Sequence, residues 1–212
     1  MSKSSILEQL HQAIGLKQTV QDVDLSGVDL RRVDLTELVA EGLLARGTRF
    51  DYALLTQAQL IEADFSEANL DGVHLANANV GLATFDRASM REICLEHAIF
   101  INGYCKDANL EDADLTGADL EGSLFFGSRL NRAMLRNVKA DDTGFNRVQM
   151  VQADLRGGSF VKATFNKADL TQANLSGGDF SEADFREAKL EGVNWDGAKL
   201  TDALFDSGAA PR

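Results

Sequence analysis

Hydrophobic residues recur at every fifth position along most of the chain. The series begins at Leu25 and ends at Phe205, and every member of it is apolar. The residue two positions earlier is usually small, as at Ala113 and Ala173, and the other three residues of each unit are mostly polar. A period of five fits neither a helix, which repeats every 3.6 residues, nor a strand, which alternates. The pattern therefore predicts a backbone that turns a corner in every unit.

The phenylalanines indicate how many units close one turn of the backbone. Many of them share one column, at spacings of twenty or forty residues: Phe65, Phe85, Phe125, Phe145, Phe165, Phe185 and Phe205. The column from Leu35 to Trp195 contains leucine at every position before the tryptophan and no phenylalanine. This sorting predicts coils of twenty residues, each with four units, whose like side chains stack about 4.8 Å apart.

The repeated A-(D/N)-L-X-X unit, as in AlaAspLeu at 113–115 and 168–170, resembles the pentapeptide-repeat family. The resemblance covers residues 23–205 and implies an all-β solenoid, a right-handed quadrilateral β-helix of about nine coils. The family includes proteins that confer quinolone resistance and bind DNA gyrase by imitating B-DNA, and many members without an assigned activity. It therefore implies the fold more strongly than the function.

Residues at the two ends lie outside the repeat. The sequence predicts a short N-terminal capping helix within 1–19, the β-helix over 20–206 and a tail over 207–212. The helix is predicted from the apolar spacing of Ile6, Leu10 and Ile14, an N-cap at Ser4 or Ser5, Glu8 in the first turn and a stop at Gly15. Residues 37–47 keep the register but hold unusual apolar residues, so a regular coil and a loop are both open for this segment.

The charge of the chain limits its partners. The formal net charge is −12 and the pI is about 4.6, so direct binding to nucleic acid is not expected and a basic protein is favoured. No apolar stretch is long enough to span a membrane, and no secretory signal is visible. The two cysteines do not indicate a disulfide framework, and we expect a cytoplasmic protein.

The acids are concentrated on two adjacent faces of the predicted rod. The face that follows residues 40, 60, 80 and their equivalents provides the candidate interaction residues Glu41, Glu62, Glu121, Asp141, Asp142 and Glu182. An acidic rod could imitate DNA, although duplex DNA carries one charge per ~1.7 Å and is far denser. Ordinary solubility charge is the other interpretation of this face.

Apolar residues occupy outward positions in two places. Near the middle of the rod these are Ile99, Ile101, Tyr104, Leu124, Phe126 and Met134, a partner site or scattered surface hydrophobes. At the C-terminal end the last coil, with Trp195, Leu200 and Phe205, would leave an open apolar floor. Either two chains meet there end to end as a homodimer, or the tail folds back over it.

One column contains residues with chemical potential. His74, Cys94 and Asp114 are twenty residues apart, and His97 lies near Cys94. A Cys–His–Asp triad requires histidine in the middle, and a zinc site from His74, Cys94 and His97 has only three ligands. We therefore expect no enzyme activity and no cofactor or metal. Cys105 should be buried and inert.

The sequence favours a non-catalytic protein-interaction scaffold or structural rod. The alternative is a DNA mimic that binds DNA gyrase or another basic DNA-binding protein. A metal or enzymatic site at His74, Cys94 and His97 is the third hypothesis.

Overall fold

The computed structural model describes residues 3–21, 23–208 and 211. One helix, α1 (Lys3–Leu16), precedes a long series of five-residue turns. Over these residues the β structure consists of isolated parallel bridges, without longer strands. Nor does this part of the chain contain a helix long and apolar enough to cross a membrane.

The bridges show how successive coils are joined. Each bridge pairs two residues that are twenty apart, from Asp24–Leu44 at one end to Asp184–Leu204 at the other. Main-chain hydrogen bonds also run between coils, as where the N–H of Leu25 donates to the C=O of Leu44 at 2.7 Å. The twenty-residue coil predicted from the phenylalanine column is therefore confirmed. Because the bridges continue without interruption through residues 37–47, that segment is a regular part of the solenoid.

The interior is filled by the fifth-position side chains. Rings of the phenylalanine column stack almost parallel, with centroids 5.1 Å apart for Phe65 and Phe85 and 4.8 Å for Phe165 and Phe185. The small residues two positions earlier, such as Ala58 and Ala113, are fully buried. Burial of each large central side chain favours folding by roughly 1.5–3 kcal/mol before chain entropy is counted.

The phenylalanine column is interrupted at Cys105, and a neighbouring column compensates. The ring of Phe100 lies edge-on between Phe85 and Phe125, with centroids 5.3 Å and 5.8 Å away. A Cβ atom on Gly103 would collide with the Phe100 ring, which explains why glycine replaces the usual alanine there. The coil that contains Cys105 thus has its own interior packing.

Each corner is a tight turn whose second central residue has a positive φ. The turn from Phe50 to Ala53 is closed by a 2.7 Å hydrogen bond, and Tyr52 within it has φ 58°. This geometry is that of a type II turn, which glycine adopts without strain. The sequence carries a signal for this turn besides its hydrophobic period, because most of the glycines, including Gly27 and Gly177, occupy this position.

The ends of α1 differ from those predicted. Ser4 and Ser5 lie inside the helix, so neither is its N-cap, and Glu8 lies beyond the first turn. The helix continues through Gly15 to Leu16 and ends where Lys17 adopts φ 53°. The N–H of Lys17 donates to Ile14 and that of Gln18 to Ala13, which is a Schellman motif.

The apolar side of α1 joins the core of the solenoid. Ile6 and Leu10 are buried in the same hydrophobic cluster as the first coils, and Ile14 is partly buried against it. Residues 1, 2, 209, 210 and 212 of the predicted cap and tail lie outside the described part of the chain. The division into 1–19, 20–206 and 207–212 stays a prediction.

Candidate interaction surface

The exposed carboxylates of the predicted acidic face lie along a single edge of the rod. The carboxylates concerned lie in the turns that follow residues 40, 60 and their equivalents, where coils are about 4.8 Å apart. We call these exposed residues the acidic edge: Glu41, Glu62, Glu121, Asp142, Glu182 and Asp202. Lys162 is the basic residue in the same series of turns.

Most acids at the bridged positions of the flat faces are paired with a lysine or arginine, whereas the acids of the acidic edge are not. Asp119 pairs with Lys139 at 3.5 Å, and Asp179 pairs with Lys199 at 3.0 Å, each across one coil. Asp154 is held by two arginines at 2.6 Å and 2.8 Å. Within the described ranges, no carboxylate of the acidic edge joins an ion pair. The acidic edge is therefore a row of six exposed carboxylates that the ion pairs of the described residues leave unneutralised.

Asp141 differs from its neighbour Asp142. Its side chain is half-buried and accepts hydrogen bonds from the Ser159 hydroxyl at 2.5 Å and the Val161 N–H at 2.9 Å. The carboxylate of Asp141 thus connects two coils, while that of Asp142 is exposed. Of the two candidate residues, Asp142 is the one exposed to solvent.

Apolar side chains interrupt the acidic edge near the middle of the rod. Tyr104 and Leu124 are bridged, as predicted from their spacing, and are 49% and 46% exposed. Ile99 and Phe126 are also exposed, and Ile101 is half-buried. The guanidinium of Arg147 lies 5.4 Å from the centre of the Phe126 ring, a distance at which the ring attracts a cation.

The structure adds one residue to this group and removes another. Leu82 is 46% exposed and stands in the acidic-edge series between Glu62 and Asn102. Met134 is half-buried in the column of Cys94 and Asp114, two units of the coil away from Tyr104, so its assignment to the group was wrong. We define the apolar patch as Leu82, Ile99, Ile101, Tyr104, Leu124 and Phe126.

Two turns beneath the apolar patch are closed by serine side chains from the next coil. The hydroxyl of Ser123 donates to the C=O of Phe100 and accepts from the N–H of Gly103, at 2.9 Å for the second bond. Ser128 bonds in the same way to Cys105 and to Ala108, where its hydroxyl accepts the N–H at 3.0 Å. Both serines are fully buried. At the apolar patch the coil therefore departs from the usual repeat both in its buried hydrogen bonds and in its exposed side chains.

The C-terminal coil is less covered than those before it. Phe180 and Phe185 are buried, whereas Trp195, Leu200 and Phe205 are only partly buried. Phe205 continues the ring column, stacked 5.2 Å from Phe185. Residues 209, 210 and 212 of the predicted tail lie outside the described structure, so the alternative of a covering tail is not tested.

His74, Cys94 and Asp114 lie one above the other, as their spacing predicts, but form no metal-binding group among the described residues. Bridges join His74 to Cys94 and Cys94 to Asp114. In the described ranges no three His, Cys, Asp or Glu residues are grouped to hold a metal ion. Burial raises the pKa of the Cys94 thiol, and the Asp114 carboxylate adds to the increase, so the less reactive protonated form is favoured. Burial also raises the pKa of Cys105.

A family model of pentapeptide repeats matches eight copies, over residues 45–75, 63–100, 104–139, 149–186 and 179–206. The chain belongs to the pentapeptide-repeat family. No curated protein matches this pentapeptide-repeat chain.

Two solved structures are similar to this pentapeptide-repeat protein. HetL, a pentapeptide-repeat protein involved in heterocyst differentiation regulation in the cyanobacterium Nostoc sp. strain PCC 7120, shares 24% identity with a TM-score of 0.53. That alignment covers 96% of this chain and 94% of HetL. QnrB1, a plasmid-mediated fluoroquinolone resistance protein, shares 16% identity with a TM-score of 0.65, covering 85% of this chain and 90% of its own. Both likenesses show the solenoid fold.

Because paired and unpaired acids differ in their contacts, substitutions of the two kinds should differ in how the free energy of unfolding depends on pH. Burial raises the pKa of Asp154, but hydrogen bonds from Arg156 and Arg136 outweigh it and lower the pKa to about 2. The lowered value contributes stability above the unfolded pKa of about 4, and this stability is lost as the pH falls toward 2. Urea unfolding should show Asp154→Asn destabilised by about 1 kcal/mol at pH 7, a screened value, and the difference should shrink between about pH 4 and pH 2.

Asp142→Asn is the matched control, because Asp142 is exposed and asparagine tolerates its φ of 56°. Its free energy of unfolding should equal that of the parent at each pH. Equal losses in the two variants, or an Asp154→Asn difference that persists at pH 2, would contradict the contrast between faces and edge.

Proposed function

We propose that this pentapeptide-repeat protein is a non-catalytic interaction rod, a right-handed solenoid of about nine coils that binds a basic protein through its acidic edge. The observation that carries the proposal is the contrast in pairing. Most carboxylates on the faces have a lysine or arginine partner, as Asp119, Asp169 and Asp179 do with lysines one coil away, and those of the acidic edge have none within the described ranges. A line of uncompensated charge attracts a basic surface and accelerates encounter with it.

The packing of the coils supports recognition on the outside of the rod. Leucine and phenylalanine side chains fill the interior, as the full burial of Leu70, Phe85 and Leu155 illustrates. Small-molecule sites are usually concave and enclosed, whereas partner binding requires only surface. This arrangement favours an interaction scaffold over an enzyme.

A comparison of partner capture tests the proposal. A variant with Glu62→Gln, Glu121→Gln, Asp142→Asn and Glu182→Gln removes charge at exposed positions that make no ion pair, so its stability should match that of the parent. We expect the parent to capture basic proteins from a lysate and this variant to lose at least tenfold of that capture. The control Asp119→Asn with Asp179→Asn removes paired charge and should retain capture. Equal capture by all three proteins would reject the proposal.

A DNA mimic that binds DNA gyrase is the second candidate. It is favoured by the alignment of the acids along one edge of a narrow rod, and QnrB1, with which the chain shares its fold, is a fluoroquinolone resistance protein. The charge is sparse, however, because the edge holds at most one carboxylate per coil, about 4.8 Å, with gaps at Leu82, Asn102 and Lys162. Duplex DNA carries one charge per ~1.7 Å. The general scaffold is therefore ranked first.

A supercoiling assay distinguishes the second candidate. If the protein imitates DNA, it should inhibit gyrase supercoiling, or protect gyrase from a fluoroquinolone, at micromolar concentration or below. Glu41→Gln combined with the four edge substitutions should abolish the effect, because the imitation depends on charge. No effect of the parent at tens of micromolar would exclude the gyrase that is tested.

The C-terminal coil supports a further part of this proposal, an end-to-end homodimer. Trp195, Leu200 and Phe205 would be covered by the same residues of a second chain, since partly exposed apolar surface gains from burial. Sedimentation should show a mass that rises with concentration above 23.0 kDa. A constant monomer mass would exclude the dimer.

A further inference from the structure

The apolar patch interrupts the acidic edge and is bordered by it on both sides. Glu62 lies one coil before Leu82 in the same series of turns, and Glu121 lies one coil after Ile101. Tyr104 and Leu124 extend the patch onto the next face, and their bridge fixes them one above the other. Contiguous exposed apolar surface with a polar rim is typical of protein interaction sites.

We propose that the apolar patch and the flanking carboxylates of Glu62, Glu121 and Asp142 form a docking site for an amphipathic basic helix of a partner protein. The proposal rests on the interaction function proposed above and identifies where on the rod, and by what chemistry, the partner is held. Leucine-like side chains of the helix would cover Tyr104 and Leu124. Its lysine or arginine residues would pair with the acids on either side of the patch.

The spacing of the acids agrees with the length of a helix. Glu62 and Glu121 are separated by about three coils, or roughly 14 Å, and Asp142 lies one coil farther. A helix rises 1.5 Å per residue, so about ten to thirteen residues separate the cations that would reach these acids. That length accommodates apolar side chains at i, i+3 or i+4 and i+7, which form one stripe of a helix.

Charge complementarity favours a basic protein segment over a second copy of this chain, nucleic acid or anionic lipid as the partner at this site. A second copy of this chain would bring its own Glu62 and Glu121 against those already present, and like charges at close range oppose association. An acidic edge also repels nucleic acid and anionic lipid.

The interior of the same coil supports a specialised site. Phe100 fills the gap left by Cys105 and requires Gly103, and the serines at 123 and 128 close the two turns below the patch. These changes surround the coil that carries Ile99, Ile101 and Tyr104 on its outside. The unusual interior packing and the exposed apolar side chains thus occur at the same place along the rod.

Fluorescence anisotropy with a synthetic probe tests the site directly. The probe is a labelled, alanine-rich, 18-residue helical peptide with leucine at i, i+3 and i+7 and two lysines at each end of that stripe. We expect saturable binding by the full-length protein at 150 mM salt. Replacing the leucines by serine, or the lysines by glutamate, should each weaken binding at least tenfold, because both contacts contribute.

Protein variants locate the site on the rod. Tyr104→Ser with Leu124→Ser should lose at least tenfold in affinity, and the fold should tolerate them because Ser89 and Ser159 hold the equivalent position. Leu54→Ser, at an exposed leucine on the opposite face and more than two coils before Tyr104, should bind as the parent does. Glu62→Gln with Glu121→Gln should weaken binding and its salt dependence, whereas Glu182→Gln with Asp202→Asn, far along the same edge, should change neither.

The failure of this proposal is distinguishable from failure of the interaction function. If the serine-substituted peptide binds as well as the leucine peptide, or Tyr104→Ser with Leu124→Ser binds as the parent does, the docking site is rejected. The general function would still stand if lysate capture depended on the acidic edge. Urea unfolding of each variant verifies that the loss of binding is not a loss of folding.

Discussion

The pairing of each coil with the next, at a register of twenty residues, is the constraint on which the rest of the molecule depends. Parallel bridges at the residue before each central hydrophobe hold successive coils together from Asp24 to Leu204. Once that register is set, like positions stack about 4.8 Å apart. The central side chain and the small residue two before it point inward, and the other three face outward. A slip of one residue would place polar side chains in the core.

The stacking of coils also determines which charged side chains on the surface form ion pairs. On the flat faces a lysine or arginine lies one coil from an acid, so the side chains meet and neutralise each other, as Lys139 and Asp119 do. Residues in the turns of the acidic edge face mostly acids or neutral residues above and below. The contribution of an exposed ion pair to stability is small. Its consequence here is that most acids on the faces are neutralised, while those of the acidic edge keep their charge.

The periodic part of the fold could be predicted from the sequence because one rule repeats in every unit. The column of phenylalanines revealed the coil length, and the same arithmetic placed Tyr104 over Leu124. The exclusion of Met134 from the patch was also within reach of that arithmetic, since its column is that of Cys94 and Asp114. The positive φ at each corner is marked in the sequence by the placement of the glycines, although the hydrophobic period alone does not require it.

Other features depend on side-chain packing that no period reveals. The Phe100 ring fills the space that Cys105 leaves in the phenylalanine column because of the direction in which the ring points. That direction also brings the ring against Gly103, where a side chain would not fit. Which acids find a cation depends on the reach of lysine and arginine across a coil. The end of α1 at Leu16 depends on Lys17 accepting a conformation that glycine usually adopts.

The central claim is that folding and recognition use different positions of the same five-residue unit. A saturation substitution scan selected for folding alone, by resistance to proteolysis at a fixed urea concentration, tests it most directly. Substitutions at Leu70, Ala113 and Phe165 should eliminate folding, because these residues are fully buried. Polar and neutral substitutions at Glu62, Glu121 and Glu182 should leave folding unchanged. Losses at the acidic edge as large as those in the core would show that its carboxylates serve the fold and would contradict the account.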